Sequence, residues 1–418
     1  MSHRTLDVCC FNEHAGVLSD HPDGLQFAYS EHWRRSAMLP LSQSLPLEGS
    51  FSSNAVTAFF AGLLPEGVPR EQAARNLGVS ASNDFAMLAA LGGDTAGALS
   101  LLAPGQQRES ASGDVRWLDH GELAALIDEI PARPMRADAD GEYRLSLAGA
   151  QDKLPVVVAN DGRIGLTHGR TPSTHILKTP IARLDSTIAN ETLCPAIGRE
   201  LGIHVVNAQP LRQAGREFLL VQRYDRQESG SEVTRLHQED FCQALSIPPS
   251  RKYQAEGGPG LDDCFALLRR AAAVPAREVL KLLDAVILSF LVGNHDAHGK
   301  NYSLLYLPHS PAATLSPAYD LLSTAAYPHL TRKMAMSIGR EYRPDYIQAR
   351  HLDSMLEQAG LSGAAGRRRI RALARDAPAA ATKARDTLAA EGWDSPVLER
   401  VLEIVNKRAQ KLIEIAAR

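Results

Sequence analysis

The sequence predicts an α+β protein built in more than one lobe, and three observations carry that expectation. Runs of β-forming residues separated by turns occupy the first part and the middle of the chain, whereas helical spacing dominates beyond residue 235. With 418 residues the chain exceeds one ordinary core, and at about 150 residues per unit it allows two or three. Its composition, 44% hydrophobic and 22% charged with 31 Gly and 24 Pro, leaves no room for a largely disordered or collagen-like chain.

The elements follow in order. Residues 5–11 and 24–30 read as strands of a meander, with His21-Pro22-Asp23-Gly24 as a turn. Ala55, Phe59, Phe60 and Leu63 then recur at helical spacing until Pro65-Glu66-Gly67 stops them, and Asn83-Asp84 opens another helix reaching Leu91. A helix over 118–130 closes this part, and the proline-rich, charged stretch 131–141 suits a linker, which places a boundary near residue 140. Residues 143–224 turn β-rich again, with strands at 154–158, 174–177 and 218–221. One helix interrupts them, carrying Thr192, Leu193, Ala196, Ile197 and Leu201 on one face and closed by Gly202. Val279, Leu282, Leu283, Val286, Ile287 and Phe290 form a wide apolar stripe ending at Gly293. Ser395-Pro396 starts the last helix, with Val397, Val401, Ile404, Val405 and Leu412 inward.

Charge and cysteine usage narrow the class. The 45 Lys+Arg against 48 Asp+Glu give a net charge of -3, so any nucleic-acid contact is local or comes through a partner. Cys9, Cys10, Cys194, Cys242 and Cys264 form no CxxC pair, which argues for reduced thiols rather than disulfides or a thiolate zinc site. The most apolar stretch, 285–292, is far shorter than the ~20 residues a membrane helix needs, and no signal-peptide pattern precedes it. A cytoplasmic protein with no membrane partner is expected.

The strongest chemical signal is Gly293-Asn-His-Asp296-Ala-His298-Gly-Lys-Asn301, a polar run placed directly after an apolar helix. Phosphoryl transfer needs a carboxylate to orient the acceptor hydroxyl and an amide oxygen to hold Mg²⁺, spaced Asp-x-x-x-x-Asn in kinase catalytic loops; Asp296 and Asn301 have that spacing. After a β-like stretch at 302–307 comes Tyr319-Asp320, a second carboxylate where a metal-binding aspartate belongs, so Asn301 and Asp320 form a two-ligand magnesium site. Lys178, ending the strand-like Thr174-His-Ile-Leu-Lys178, is the candidate cation for the phosphates, with Glu191 at the start of the next helix as its fixing partner. The small-residue turn within Ser146-Leu-Ala-Gly149-Ala-Gln151-Asp-Lys153 could aim backbone N–H groups at phosphate oxygens.

Together these residues resemble the HipA family of bacterial serine/threonine kinase toxins. The matches run in order: Leu63-Leu-Pro-Glu-Gly67, Asn83-Asp-Phe85, the 146–153 segment, Ser173-Thr-His-Ile-Leu-Lys178, Asn190-Glu191 and Arg223-Tyr-Asp-Arg226. Arg235-Leu-His-Gln-Glu-Asp240, Lys252-Tyr253 with Gly257-Gly-Pro-Gly260, the Asp296 loop and Tyr319-Asp320 complete the series.

The resemblance implies a bilobal protein-kinase-like fold with an extra N-terminal α/β subdomain and an all-helical C-lobe. The expected parts are 1–140 for that subdomain, 141–225 for the nucleotide-binding part of the N-lobe and 226–418 for the C-lobe. It implies ATP and Mg²⁺ as cofactors, with Asp296 as catalytic base. The ATP site would comprise Ala148, Gly149, Ala150, Gln151, Asp152, Lys153, Lys178, Gln222, Arg223, Tyr224, His298, Gly299, Lys300, Asn301, Tyr319 and Asp320. Ser146 aligns with the family's autophosphorylated serine, and a phosphate there, roughly -1.5 to -2 in charge, would conflict with a loop cradling ATP. A helix-turn-helix antitoxin, operator DNA reached through it, and a protein substrate such as an aminoacyl-tRNA synthetase (glutamyl-tRNA synthetase above all) are the implied partners.

Rival readings start from the same residues. A catalytically silent scaffold docking an antitoxin has no need of a lysine, a base and two metal ligands. Gly293-Asn-His-Asp296 also resembles a block of metallophosphoesterases, but Gly93-Asp94 and Gly113-Asp114 both lack the further aspartate that chemistry requires. His295 and His298 read as hydrogen-bonded groups rather than metal ligands, and the basic run from Arg367 to Arg375 as a solvated helix face.

Overall fold

The computed structural model describes residues 4–36, 39–106, 115–134, 147–148, 151–167, 171–213, 215–229, 232–307 and 310–417. The chain divides into two compact units, each assembled from three separated stretches: unit 1 from 1–179, 211–250 and 304–313, unit 2 from 180–210, 251–303 and 314–418.

Unit 1 opens with an antiparallel sheet ordered β3-β2-β1-β4, formed by β1 (Thr5–Cys10), β2 (Glu13–His21), β3 (Gly24–Tyr29) and β4 (Leu99–Leu102). Alternation in β1 sends Leu6, Val8 and Cys10 inward. The sequence does not announce β2, because its nine residues are mostly polar and bury only Ala15 and Gly16 flush with the core side, then Leu18. Four helices cover the sheet: α1 (Glu31–Arg35), α2 (Ser53–Ala61), α3 (Gly67–Leu77) and α4 (Asp84–Leu91). Ser52 and Asn83 cap α2 and α4 by accepting from the N–H groups of Ala55 and Ala86, as their short polar side chains allow. Phe27, Trp33, Phe59, Phe60 and Leu88 fill the core between them.

The second sheet of unit 1 runs β5-β7-β6-β8-β10-β9. Its first strands are β5 (Val115–Trp117), β6 (Lys153–Val158), β7 (Ile164–Thr167) and β8 (His175–Lys178). α5 (His120–Glu129) starts at a capping box between Asp119 and Glu122. It packs Leu123, Leu126 and Ile127 against Leu154, Val156, Leu177, Phe218 and Leu220. After β8 the chain forms α6 (Thr187–Glu200) in unit 2, then returns through β9 (Ala208–Gln213) and β10 (Arg216–Gln222).

The region from 226 onward contains strands as well as helices. β11 (Arg226–Ser229) and β12 (Glu232–Arg235) form a hairpin, and β13 (His237–Asp240) leads into α7 (Phe241–Ala244); all of these belong to unit 1. Here the carboxylate of Glu239, fully buried, accepts from the Ser42 hydroxyl, from Gln43 N–H at 2.9 Å and from Tyr306 O–H at 2.6 Å. His237 donates from Nε2 to Leu41 O at 2.8 Å and stacks on Tyr306.

Unit 2 is the helical lobe. With α6 it holds α8 (Leu261–Ala271), α9 (Pro275–Val292), α10 (Ala349–Gln358), α11 (Gly363–Ala390) and α12 (Pro396–Ala416). Two short strands, β14 (Ser303–Tyr306) and β15 (Ala313–Leu315), follow α9 along the chain, and residues 304–313 belong to unit 1. The α9 stripe is buried as its spacing predicts, and Asp284 on the same helix makes a two-pronged ion pair with Arg369 of α11 at 2.8 and 2.7 Å. Of the remaining basic run, Arg367 pairs with Asp353 and Arg375 with Asp376, so these charges are spent within the helical lobe's surface. Among the described residues no helix is long and apolar enough to cross a membrane.

Candidate active site

The centre of the site in unit 2 is built by the way α9 ends. Gly293 caps the helix in the left-handed region (φ 80°), and a Cβ there would stand 2.8 Å from the Ala325 Cβ. That close approach lets Gly293 O accept from Ala325 N–H at 3.0 Å and from Thr324 Oγ1 at 3.2 Å, while His295 N–H donates back to Thr324 Oγ1 at 2.8 Å. The loop after α9 is thereby stitched to the segment following Asp320.

Asn294 ties the two loops at the chemistry itself. Its Nδ2 donates to Asp320 O at 3.2 Å, and its Oδ1 accepts from Asp296 N–H at 3.1 Å. Residues Gly299–Asn301 form one 3-10 turn in which Asn301 Oδ1 accepts from His298 N–H at 3.1 Å and Nδ2 donates to Asp320 Oδ2 at 3.3 Å. Asp320 itself is held at φ 56°, a backbone state that Asp tolerates better than most residues. Tyr319 donates to Lys300 O at 2.6 Å and lies 2.7 Å from the Ser303 hydroxyl, which fixes the base of the turn. Asp296 remains exposed, with Oδ1 accepting from Tyr253 O–H at 2.9 Å.

The structure therefore brings together Asp296, His298, Gly299, Lys300, Asn301, Tyr319 and Asp320. The Asp320 carboxylate and the Asn301 amide oxygen are hard oxygen donors, and Asn301 Oδ1 keeps a lone pair beyond its bond to His298. That pair suits Mg²⁺, which takes one or two protein ligands and completes its shell with water and phosphate oxygens. His295 is committed elsewhere: Nδ1 donates to Thr331 O at 3.0 Å and Nε2 accepts from Arg408 at 2.7 Å. Burial, then the Arg408 charge, push its pKa down to about 4, so the ring is neutral.

In unit 1 the candidate phosphate groups lie on one face of the second sheet. Lys153 and Lys178 are register partners across β6 and β8, and Lys178 is in turn opposite Leu219 of β10. Strand alternation turns Leu154, Leu177 and Leu220 to the core and leaves both lysines, Pro155, Leu219 and Val221 on the opposite face. The Lys153 ammonium donates to Ala148 O, and Gln151 and Asp152 are linked to Thr179 by bonds of 3.4 Å each. Burial raises the half-buried Asp152 carboxyl above its ordinary value. Ser146, Gly149 and Ala150 lie outside the described residues.

Of the hinge candidates, Gln222 ends β10 exposed, and the Tyr224 hydroxyl bonds Gln238. The side chain of Arg223 is fully committed to a buried ion cluster. It reaches Asp225 at 2.7 Å, Ser173 Oγ at 2.9 Å and Thr95 O at 3.0 Å, and its backbone N–H donates to Thr174 O. Asp94 holds Arg226 and Arg235 in the same cluster at 3.1 and 3.0 Å. Asp94 is thus a structural counter-ion, the role a metallophosphoesterase reading would not give it.

Glu191 sits in the second turn of α6 rather than at its start, because the helix already begins at Thr187. Its neighbour Asn190 is the informative residue: Nδ2 donates to Ser323 O at 3.1 Å and to Tyr327 Oη at 3.2 Å, and Oδ1 accepts from Ser323 N–H at 2.9 Å. The sequence assigns no role to Asn190, Tyr253 and Asn294, and Asp94 enters it only through the rejected metallophosphoesterase reading. Only Asn294, inside the polar run after α9, carried a local signal of its own.

Comparison with known proteins identifies the family. Residues 145–383 match the HipA-like C-terminal domain and residues 6–102 the HipA N-terminal domain. The chain is 45% identical to the putative kinase Y4mE of Sinorhizobium fredii over 88% of this chain and 89% of that protein. It is 32% identical to the serine/threonine-protein kinase toxin HipA of Shewanella oneidensis over 85% of this chain and 84% of that one. Its fold superposes with a TM-score of 0.85 at 27% identity on HipA in the Shewanella oneidensis HipA, HipB and operator DNA complex, covering 99% of this chain and 98% of that one. A matched C-terminal domain that spans the Lys178, Asp296 and Asp320 positions, preceded by the matched N-terminal domain, places the chain in the HipA family.

Proposed function

We propose that this chain is an ATP- and Mg²⁺-dependent serine/threonine protein kinase and the toxin of a toxin–antitoxin pair. The observation that carries the reading is the convergence of Asp296, Asn301 and Asp320, joined through Asn294 and the 3.3 Å contact between Asn301 and Asp320. Asp296 orients the acceptor hydroxyl and takes its proton. Asn301 and Asp320 would hold Mg²⁺, which when bound neutralises phosphate charge. Lys178, Lys153 and the loop from Ala148 grip the phosphates, and main-chain groups at 222–224 face adenine. Along the chain we assign residues 1–140 to an accessory subdomain, 141–225 to the nucleotide-binding part and 226–418 to the C-lobe, although 226–250 and 304–313 pack within unit 1 and 180–210 within unit 2.

The partners follow from the relatives. A DNA-binding antitoxin and, through it, operator DNA are proposed from the Shewanella oneidensis complex. A translation protein such as glutamyl-tRNA synthetase is the proposed substrate, and phosphorylation of Ser146 the proposed off-switch. Wild type and Asp296→Asn are incubated with ATP and Mg²⁺ and their phosphates mapped by mass spectrometry. Labelling of Ser146 in wild type alone is expected; equal labelling in both, or none in either, overturns the mechanism.

A further inference from the structure

The Lys252-Tyr253…Gly257-Gly-Pro-Gly260 segment is unused by the reaction as described so far, yet it ends on the catalytic base. The Tyr253 hydroxyl donates to Asp296 Oδ1 at 2.9 Å. Its ring meets the His298 ring edge-on, 5.2 Å between centroids, so one side chain touches both the base and the turn that carries Asn301. The Lys252 ammonium lies 5.6 Å from the same ring.

The tyrosine's main chain is fixed by a tight turn. Tyr253 O accepts from the N–H groups of Glu256 and Gly258, both at 2.9 Å. That tight turn explains the glycines: Gly257 sits at φ 90°, and a Cβ on Gly258 would stand 2.4 Å from Arg251 O. Next door, Gln254 N–H donates to Ala335 O at 3.3 Å and Gln254 Oε1 accepts from Ser337 N–H at 2.7 Å. Ala335 N–H then donates to His295 O at 2.7 Å. The path closes on itself, from Tyr253 through 335 to the residue preceding Asp296, and back through the phenol.

We propose that Tyr253 is a positioning residue for phosphoryl transfer: its hydroxyl pins one carboxylate oxygen of Asp296 so that the other faces the acceptor hydroxyl. The inference rests on the preceding assignment of Asp296 as base. In the step, the acceptor O–H gives its proton to Asp296 Oδ2 while its oxygen bonds to the γ-phosphorus. The bond from that phosphorus to the bridging oxygen breaks, and ADP leaves with the electron pair. Without the phenol the carboxylate samples this geometry less often, which lowers the rate without touching nucleotide binding.

The test compares wild type, Tyr253→Phe, Asp296→Asn and the double variant, using phosphate transfer from ATP to the chain itself and to dephosphorylated casein. The Phe variant keeps the ring against His298, and a thermal melt matching wild type confirms that it folds. We expect its rate to fall about tenfold with the KM for ATP unchanged, and the double variant to be no slower than Asp296→Asn, because Tyr253 acts through the base. A Phe variant as fast as wild type, or faster because the phenol merely competes with the acceptor, overturns the role of Tyr253 while an inactive Asp296→Asn leaves the base standing. A loss that adds in full to that of Asp296→Asn overturns it too. An Asp296→Asn protein that labels like wild type removes the base, and Tyr253's role with it.

Discussion

Lys153 and Lys178 stand directly opposite one another on adjacent antiparallel strands, both buried and both on the sheet face turned away from the unit 1 core. Like charges placed opposite one another make that face favourable for an anion, and Lys153 donates to the Ala148 carbonyl there. ATP should therefore raise the melting temperature, and saturation at about 100 times Kd corresponds to roughly 2.7 kcal/mol. Lys178→Met should abolish most of this nucleotide-dependent shift in a thermal melt; an undiminished shift would place ATP elsewhere.

Asp320→Asn probes the metal site with little backbone disturbance, since Asn accepts the positive φ found there. Kinase activity should drop by roughly 100-fold or more, as expected when a metal-holding group is lost. EDTA should silence the wild type to the same floor. A variant retaining activity in radiolabelled transfer would dismiss Asp320 as a ligand.

The buried ion cluster of unit 1 predicts an acid-dependent stability term. Burial raises the Asp225 carboxyl, but Arg223 and Arg226 outweigh it and hold the pKa at about 2; Asp94 is likewise held well below the carboxylate range by Arg235, Arg226 and Arg223 against its own desolvation. A depressed folded pKa means that the stabilisation is complete above the unfolded value near pH 4 and fades as pH falls through about 2. Asp94→Ala removes the carboxylate that pairs with both Arg226 and Arg235 and should cost about 3–5 kcal/mol at pH 7. Urea midpoints measured at pH 7, 4 and 2.5 check both the size of the loss and the onset of its decline in acid.

Glu239 behaves in the opposite sense. Burial raises its pKa to about 7 despite the donors from Ser42, Tyr306 and Gln43. The folded state then binds a proton that the unfolded chain has released, so this group's contribution declines as pH climbs from about 4.5 to 7. The slope cannot exceed roughly 1.4 kcal/mol per pH unit. Glu239→Gln should flatten denaturation midpoints over that interval; an unchanged slope would show that the carboxyl is ionised throughout.

Local patterns were the legible part of this molecule. The cap at Asn83, the stop at Gly293, the α9 stripe and the Asp296 to Asn301 spacing all depend on neighbours within a few residues, and each appears where the sequence places it. β2 escaped notice because too few of its residues are apolar to mark an alternation. The Asp94 cluster escaped because its partners lie 79 to 141 positions away, and a buried aspartate looks like a surface one until its arginines are known. Glu239 is a similar case, with its donors at Ser42 and Tyr306. Asn190 and Tyr253 were visible as motif letters, but their roles emerge only when residues 320–337 fold back on them.

Each unit is threaded from three separate stretches of chain, and the last stretch of unit 1 ends at Ala313. On the ribosome, that unit cannot complete its fold until Ala313 has cleared the exit tunnel, although its first strands emerge at once. A synthesis product interrupted before that point would accordingly lack both Asp320, the proposed metal ligand, and a finished unit 1.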